Sequence, residues 1–200
     1  MRSKRVIGLL VVLLLLFFGG CMGCNTYNSL VEQEEFVNEA WGNVETAYQR
    51  RSDLIPNLVS TVQAAGEFEQ ETLSMVTSAR ARATGITLNA DDLGDTARLA
   101  EFQAAQSQLG SALGRLLVVS ENYPQLRATE AFRDLQAQLE GTENRINTAR
   151  TRYNEAVRRY NTAIRRMPAA LFAGMFGHSA RPAFEADKGA DTAPEVNFSS

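Results

Sequence analysis

Two cysteines near the N-terminus, Cys21 and Cys24, are the first residues whose type and spacing suggest chemistry. They form a C-x-x-C motif where an apolar run ends, in FFGGCMGCNTYN. Covalent haem attachment needs a histidine directly after this motif, and Asn25 stands there. A structural zinc ion needs four ligands, and His178 is the only further cysteine or histidine. A thioredoxin-type redox pair needs a strand–helix context that this stretch does not predict. Haem, zinc and thiol redox chemistry are therefore excluded.

Lipid modification of Cys21 is the remaining chemical interpretation. The residues FGGC that end at Cys21 resemble a bacterial lipobox, in which a small residue precedes the modified cysteine. The alternative is an uncleaved membrane helix with two incidental cysteines. We favour the uncleaved helix, because the apolar run from Val6 to Cys24 is long enough to cross a bilayer as a helix at ~1.5 Å per residue.

The flanking charges predict how this segment is oriented. The sequence MRSKR precedes the apolar run, so the positive-inside rule leaves residues 1–5 in the cytoplasm. Everything after Cys24 is then expected on the extracytoplasmic side of a bacterial cell membrane, either behind a single-pass helix or behind a lipid anchor.

Catalytic signatures are sparse in the rest of the chain. A di-iron bundle needs two Glu-x-x-His motifs, and the single histidine lies in FGHSARP, beyond the last predicted helix. No Gly-rich phosphate loop occurs, and no nucleophile has a base nearby. A pair of carboxylates could still serve an envelope hydrolase. The sequence nevertheless predicts a protein that is not an enzyme and has no cofactor, no metal and no catalytic residues.

The charge balance disfavours nucleic acid as a partner. Without Arg2, Lys4 and Arg5, the 20 basic residues become 17 against 23 acidic residues, which is a net charge of −6. Nucleic-acid-binding domains usually carry a net positive charge.

Long helices are predicted throughout the chain after Cys24. Strong helix formers dominate, and no alternating strand pattern occurs. A Gly-, Asn- and Asp-rich loop covers 84–95, and prolines mark other breaks. We expect helices at about 25–51, 54–83, 96–122 and 126–167. The predicted fold class is all-α, with an N-terminal membrane segment followed by an antiparallel four-helix bundle of long helices.

One heptad register crosses the break that we place near residues 51–53. It is shared by Leu30, Val37, Val44 and Leu58. The first helix could therefore continue through Pro56, which would release the carbonyl of Ser52 from helix hydrogen bonding. We favour the break, because a continuous helix would place Arg51 in the apolar seam.

The last predicted helix contains four ladders of residues with seven-residue spacing. From Arg145 it reads RINTART, RYNEAVR, RYNTAIR. A core ladder and an alanine ladder indicate close packing against a neighbouring helix. The asparagine ladder predicts interhelical hydrogen bonds or a polar groove, and the arginine ladder predicts ion pairs with acidic residues of the first helix. The four ladders are Ile146/Tyr153/Tyr160, Ala149/Ala156/Ala163, Asn147/Asn154/Asn161 and Arg145/Arg152/Arg159/Arg166.

Several long stretches together resemble the LemA family of bacterial membrane-anchored proteins. They include AWGNVETAYQRRSDLIPNLVSTV, ETLSMVTSARARA, ENYPQLRATEAFRDLQAQLEGTENRINTARTRYNEAVRRYN and FAGMFGHSARPAFEA. The resemblance covers about residues 25–198. It implies a membrane segment at 1–24 and a four-helix bundle at 25–167. A C-terminal tail follows at 168–200. We expect its apolar stretch at 169–177 to dock on the bundle or on lipid headgroups, and its polar remainder to be mobile.

Two classes of function are consistent with these features. The first is a membrane-tethered, non-enzymatic scaffold or interaction module of the cell envelope that binds an unidentified envelope protein. The second is an accessory subunit or regulator of a membrane enzyme such as a protease or transporter. The motif RRSDLIPNLV is read either as a helix junction or as a docking surface for the partner, and Trp41 as a core residue. The possible docking residues are Arg50, Arg51, Asp53, Pro56 and Asn57.

Overall fold

A computed structural model describes residues 2–64, 66 and 68–185, and all regular structure within them is helical. The all-α prediction is therefore confirmed, although the described part of the chain contains six α-helices and one 3-10 turn instead of four helices. The elements in chain order are α1 (Arg2–Ala64), α2 (Gln70–Gly85), the 3-10 turn (Ala90–Gly94), α3 (Thr96–Ser120), α4 (Pro124–Ala128), α5 (Glu130–Arg165) and α6 (Ala169–Phe172).

Helix α1 corrects the predicted break at residues 51–53. It runs without interruption through Pro56, and the second helix begins at Gln70 and not near residue 54. A proline inside a helix leaves the carbonyl four residues earlier without its partner. Nε of Arg80 on α2 donates to that carbonyl, the oxygen of Ser52, at 3.0 Å. An arginine from a neighbouring helix thus supplies the hydrogen bond that Pro56 removes.

The other helix boundaries follow local capping chemistry. The loop expected at 84–95 is present and contains the 3-10 turn. Asp95 caps α3 by accepting from the backbone N–H groups of Ala97 and Arg98. Pro124 occupies the first turn of α4, where a missing N–H costs nothing. The Thr129 hydroxyl caps α5 by accepting from the N–H of Phe132 at 3.4 Å.

The long helices pack as two pairs, α1 along α5 and α2 along α3. One hydrophobic cluster, here called the aromatic core, lies mainly between α1 and α5. Its rings come from Trp41, Tyr48, Phe102, Tyr153, Tyr160 and Phe184. The second cluster, the aliphatic core, joins the C-terminal part of α1 to α2, α3, α4 and the start of α5. Its members include Leu58, Leu109, Leu113, Leu116, Leu126 and Phe132. As predicted, Trp41 is a core residue, and its Nε1 donates to the carbonyl of Leu88 at 3.1 Å.

The beginning of α1 differs from the rest of the helix. Its described large side chains, Leu10, Leu13, Leu14 and Phe17, are all exposed. Over the described residues, no helix has an apolar stretch long enough to span a bilayer, so the predicted membrane segment is not confirmed. The side chain of Cys21, the predicted lipid site, lies outside the described residues, as do residues 186–200 of the tail. Cys24 is a free, exposed thiol.

Candidate functional site

Arg51 is the most buried charged residue described, with 3% of its surface exposed. Nη1 donates to Glu143 on α5 at 2.7 Å, and Nη2 donates to Gln106 on α3, to its side-chain oxygen at 2.6 Å and its backbone carbonyl at 3.0 Å. The guanidinium also lies 5.1 Å from the centre of the Tyr48 ring. One side chain of α1 therefore ties that helix to both α3 and α5.

The two ends of this ion pair have different access to water. The side chain of Glu143 is 43% exposed, whereas that of Arg51 is 4% exposed. Removing one partner of a buried pair leaves the other charge uncompensated. Glu143 left alone would be hydrated, but Arg51 left alone would not be. This asymmetry makes Glu143 the partner on which the folded state depends more strongly.

The motif RRSDLIPNLV is divided between the interior and the surface. Arg50, Asp53, Pro56 and Asn57 are exposed along one side of α1. Asp53 accepts a hydrogen bond from the Gln49 amide at 2.7 Å on this face. The guanidinium of Arg51 is instead enclosed by α3 and α5, so its side chain is not part of this exposed face. The other four remain candidates on geometric grounds.

Arg50 also lines a groove of about 350 Å³ between α1 and α5, here called the arginine groove. Arg145 and Arg152 line its opposite wall, together with Asn144 and Thr148. The lining residues include no carboxylate, and guanidinium groups in such a setting suit carboxylate or phosphate ligands. Asn43, Arg50 and Asn57 follow one another at seven-residue spacing, so the exposed face of the motif continues the line of the groove.

The predicted pairing of the arginine ladder with α1 is wrong. Among the described ion pairs, none joins Arg145, Arg152, Arg159 or Arg166 to an acidic residue of α1. Glu34 of α1 pairs instead with the C-terminal part of the chain. Its carboxylate accepts a hydrogen bond from Nη2 of Arg181 at 2.5 Å and lies 3.0 Å from Nδ1 of His178. All four ladder arginines are exposed, and two of them, Arg145 and Arg152, contribute positive charge to the arginine groove.

The asparagine ladder holds residues 178–185, here called the C-terminal strap, and not a neighbouring helix. The side chain of Asn161 donates to the carbonyl of Arg181 at 2.8 Å and accepts from its N–H at 2.9 Å. Asn154 makes the same two bonds to Phe184, at 3.1 and 2.9 Å. Seven helical residues span about 10.5 Å and three extended residues about 10 Å, so the two spacings match. Asn147 is exposed.

Two tyrosines of the core ladder lie beneath the strap. Burial raises the pKa of Tyr153 to about 12, and its hydroxyl donates to the carbonyl of Pro182 at 3.1 Å. Burial also raises the pKa of Tyr160, and the nearby Glu34 carboxylate raises it further. The Tyr160 oxygen lies 3.2 Å from Nδ1 of His178. These groups serve as neutral hydrogen-bonding partners of the strap, which closes the aromatic core.

No other described cluster has the geometry of a reaction site. The described residues contain no group of three or more His, Cys, Asp or Glu side chains placed to hold a metal. A larger groove of about 860 Å³ lies between α2 and α3, and serines and alanines with Glu71, Arg82 and Arg115 line it. Glu143 and Gln106 are the site residues that the sequence analysis missed. The seven-residue register from Val44 through Arg51 to Leu58 was the signal that could have placed Arg51 inside.

Comparison with known proteins assigns most of the chain to one family. The sequence model of the LemA family matches residues 40–198. The chain is also similar to two proteins of Paramagnetospirillum magneticum, Magnetosome protein MamQ 1 and Magnetosome protein MamQ 2. Each is 28% identical to it over 140 residues, covering 62% of this chain and 52% of the relative. The chain thus spans about half the length of these curated relatives.

Proposed function

The chain belongs to the LemA family, and we propose that it is a membrane-tethered, non-enzymatic module of the cell envelope that docks an acidic segment of a partner protein. The observation that carries the docking proposal is the arginine groove, where Arg50, Arg145 and Arg152 converge with no carboxylate in the lining. Different residues support the tether and the docking of the partner.

The proposed tether is the first part of α1, residues 6–24. Two observations support it: the run is uncharged in sequence, and its described large side chains, including Leu13 and Leu14, are exposed. Exposed leucines on a helix are expected where lipid, and not protein, is the neighbour. In this proposal MRSKR stays in the cytoplasm, the helical bundle after residue 24 is extracytoplasmic, and Cys21 is the site of any lipid anchor. Protease added to spheroplasts should then degrade the bundle, and full protection would contradict this orientation.

The proposed docking surface combines the arginine groove with the exposed face of α1 at Arg50, Asp53, Pro56 and Asn57. The network around Arg51 fixes this face, because it holds α1 against α5, whose arginines form the opposite wall. The partner is expected to present carboxylates, since guanidinium groups bind them with paired hydrogen bonds. The negative net charge of the chain argues against a nucleic acid in the same groove.

In-membrane photocrosslinking tests the docking surface. A photoreactive residue at Asn57 in the full chain should capture one dominant envelope protein, whereas the same residue at Ser74 on α2 should not. Replacing the three groove arginines with Gln (Arg50, Arg145, Arg152) should abolish capture. The matched control replaces three exposed arginines outside the groove with Gln (Arg127, Arg133, Arg158) and should retain it.

The crosslinking result also separates the two classes of function. Stoichiometric capture of a membrane protease or transporter would identify an accessory subunit, and capture of a non-enzymatic envelope protein would identify a scaffold. Equal capture from Asn57 and Ser74, or capture that survives loss of the groove arginines, would contradict docking at this surface.

A further inference from the structure

A stripe of exposed apolar side chains lies just after α5. Met167 lies in the turn between α5 and α6, and Leu171 and Met175 follow four residues apart; the three are 70%, 64% and 77% exposed. Backbone bonds from Ala173 N–H to Ala169 O and from Phe176 N–H to Phe172 O keep the segment helical in form past α6. Ala169 and Ala173 face inward and belong to the aromatic core. The segment therefore has a small inner face and a large outer apolar face.

This segment is fixed to α1 close to the end of its apolar run. The ring of Phe176 packs edge-on against Tyr27 with centroids 5.1 Å apart, and Phe172 stacks on Phe176 at 6.1 Å. Tyr27 follows Cys24 by three residues, which is about 4.5 Å along a helix. If the apolar run ends at the bilayer surface, Tyr27 and Phe176 lie at the level of the lipid headgroups.

Basic residues accompany the stripe. Arg165 and Arg166 directly precede Met167, and both are exposed. A surface that combines Met and Leu with arginines and interfacial aromatic rings has the composition of segments that lie in the headgroup region. Exposed apolar clusters rimmed by charge mark interaction sites, and here the arginines match anionic headgroups.

We propose that the side chains of Met167, Leu171 and Met175 insert into the headgroup region of an anionic bilayer beside α1. This second contact would fix the orientation of the helical part after residue 24, here called the body, relative to the membrane. This inference rests on the proposed tether, since without it nothing brings the stripe to lipid. Two contacts, one through α1 and one through the stripe, would restrict how the body tilts. The arginine groove between α1 and α5 would then be held at a defined height above the membrane.

Depth-dependent fluorescence quenching tests this contact. The full chain carries Cys21→Ser and Cys24→Ser, and a single cysteine at Leu171→Cys is labelled with the fluorophore NBD. The protein is reconstituted in phosphatidylcholine–phosphatidylglycerol vesicles with a nitroxide on the upper acyl chain. The matched control is Val118→Cys, which replaces an apolar residue that is 66% exposed near the end of α3. We expect roughly twofold quenching at 171 and none at 118.

Flotation of the same samples distinguishes failure of the stripe from failure of the tether. A chain that floats with vesicles but is not quenched at 171 would overturn the stripe contact and leave the tether in place. A chain that does not float would overturn both.

Discussion

The apolar residues of helix α1 are exposed in its first part and buried in its second part, although the helix is continuous. In its first part, Leu10, Leu13 and Leu14 are exposed to more than half of their surface. In its second part, Val37, Val44 and Leu58 are fully buried. The first part has an unbroken apolar run, whereas in the second part the apolar residues recur at heptad spacing with charged and polar residues between them.

The difference indicates that the spacing of apolar residues, and not their number alone, determines what a helix packs against. A heptad stripe matches one neighbouring helix, here α5, and leaves a polar face for water. An unbroken run has no polar face, so it is stable only with apolar contact on all sides. Changes in the second part should therefore alter folding stability, and changes in the first part should alter membrane association.

Removing a buried leucine from the second part of α1 is expected to reduce the free energy of unfolding most strongly. Leu58→Ala should lower the free energy of unfolding by about 2–5 kcal/mol, because it opens a cavity in the aliphatic core. Leu14→Ala, on the exposed part of the same helix, should change it by less than about 0.5 kcal/mol. Urea unfolding of the full chain in mild detergent measures both. Equal costs would show that the two parts of α1 are not distinct.

The Arg51 network adds a charge to the buried part of α1. Glu143→Ala should cost about 3 kcal/mol, since it leaves an enclosed guanidinium without its counter-charge. Arg51→Met should cost less, about 1–2 kcal/mol, because the Glu143 carboxylate left behind is hydrated. Arg50→Met, at the exposed neighbour, should stay within about 0.5 kcal/mol. The reverse order for the first two variants would contradict the burial asymmetry.

A smaller effect is expected at alkaline pH, from the aromatic core under the strap. Tyr153 has a pKa of about 12 in the folded chain, above the ordinary value of about 10. Below pH 10 the phenol is protonated in both states. Between pH 10 and 12 the unfolded state loses that proton while the folded state retains it. The contribution of Tyr153 to the free energy of unfolding is therefore fully present below pH 10, and about 2–3 kcal/mol of it is lost as the pH rises to 12.

Denaturation at several pH values measures this dependence. Tyr153→Phe should flatten the decline between pH 10 and 12, at a cost of about 1 kcal/mol at neutral pH for the lost hydrogen bond to Pro182. Tyr160, whose pKa burial also raises, contributes to the same alkaline decline, so Tyr153→Phe should reduce the slope without abolishing it. An unchanged slope in Tyr153→Phe would exclude this tyrosine as the cause.

The sequence was sufficient for the features that depend on local chemistry. Helix propensity predicted the all-α class, the Gly/Asn/Asp cluster predicted the loop before α3, and the prolines marked the break before residue 126, although one helix at 126–167 was expected where the structure has α4 and α5. The heptad ladder of α5 correctly placed Tyr153 and Tyr160 in the core. These signals lie within a few residues of the structure that they specify.

The errors came from contacts between residues far apart in the chain. A break was favoured at Arg51 because an unpaired buried arginine is costly, but the partner, Glu143, is 92 positions away. The same holds for Ser52, whose free carbonyl is satisfied by Arg80, 28 positions away. The seven-residue spacing of the asparagine ladder likewise indicated a hydrogen-bonding face. The segment that Asn154 and Asn161 bind is the strap, which has no helical pattern in the sequence. The sequence periodicity identified which face of a helix makes contacts, but it could not identify the segment that contacts that face.

The proposed tether is tested most directly by carbonate extraction of membranes from cells that make the full chain. The original chain should stay in the membrane pellet, and the variant with Leu13→Arg and Leu14→Arg should appear in the supernatant, because charges in the apolar run prevent insertion. A matched variant with two arginines on the exposed face of the body, Thr151→Arg and Glu155→Arg, should remain in the pellet. Release of the original chain by carbonate, or retention of the Leu13/Leu14 variant, would contradict a tether formed by the first part of α1.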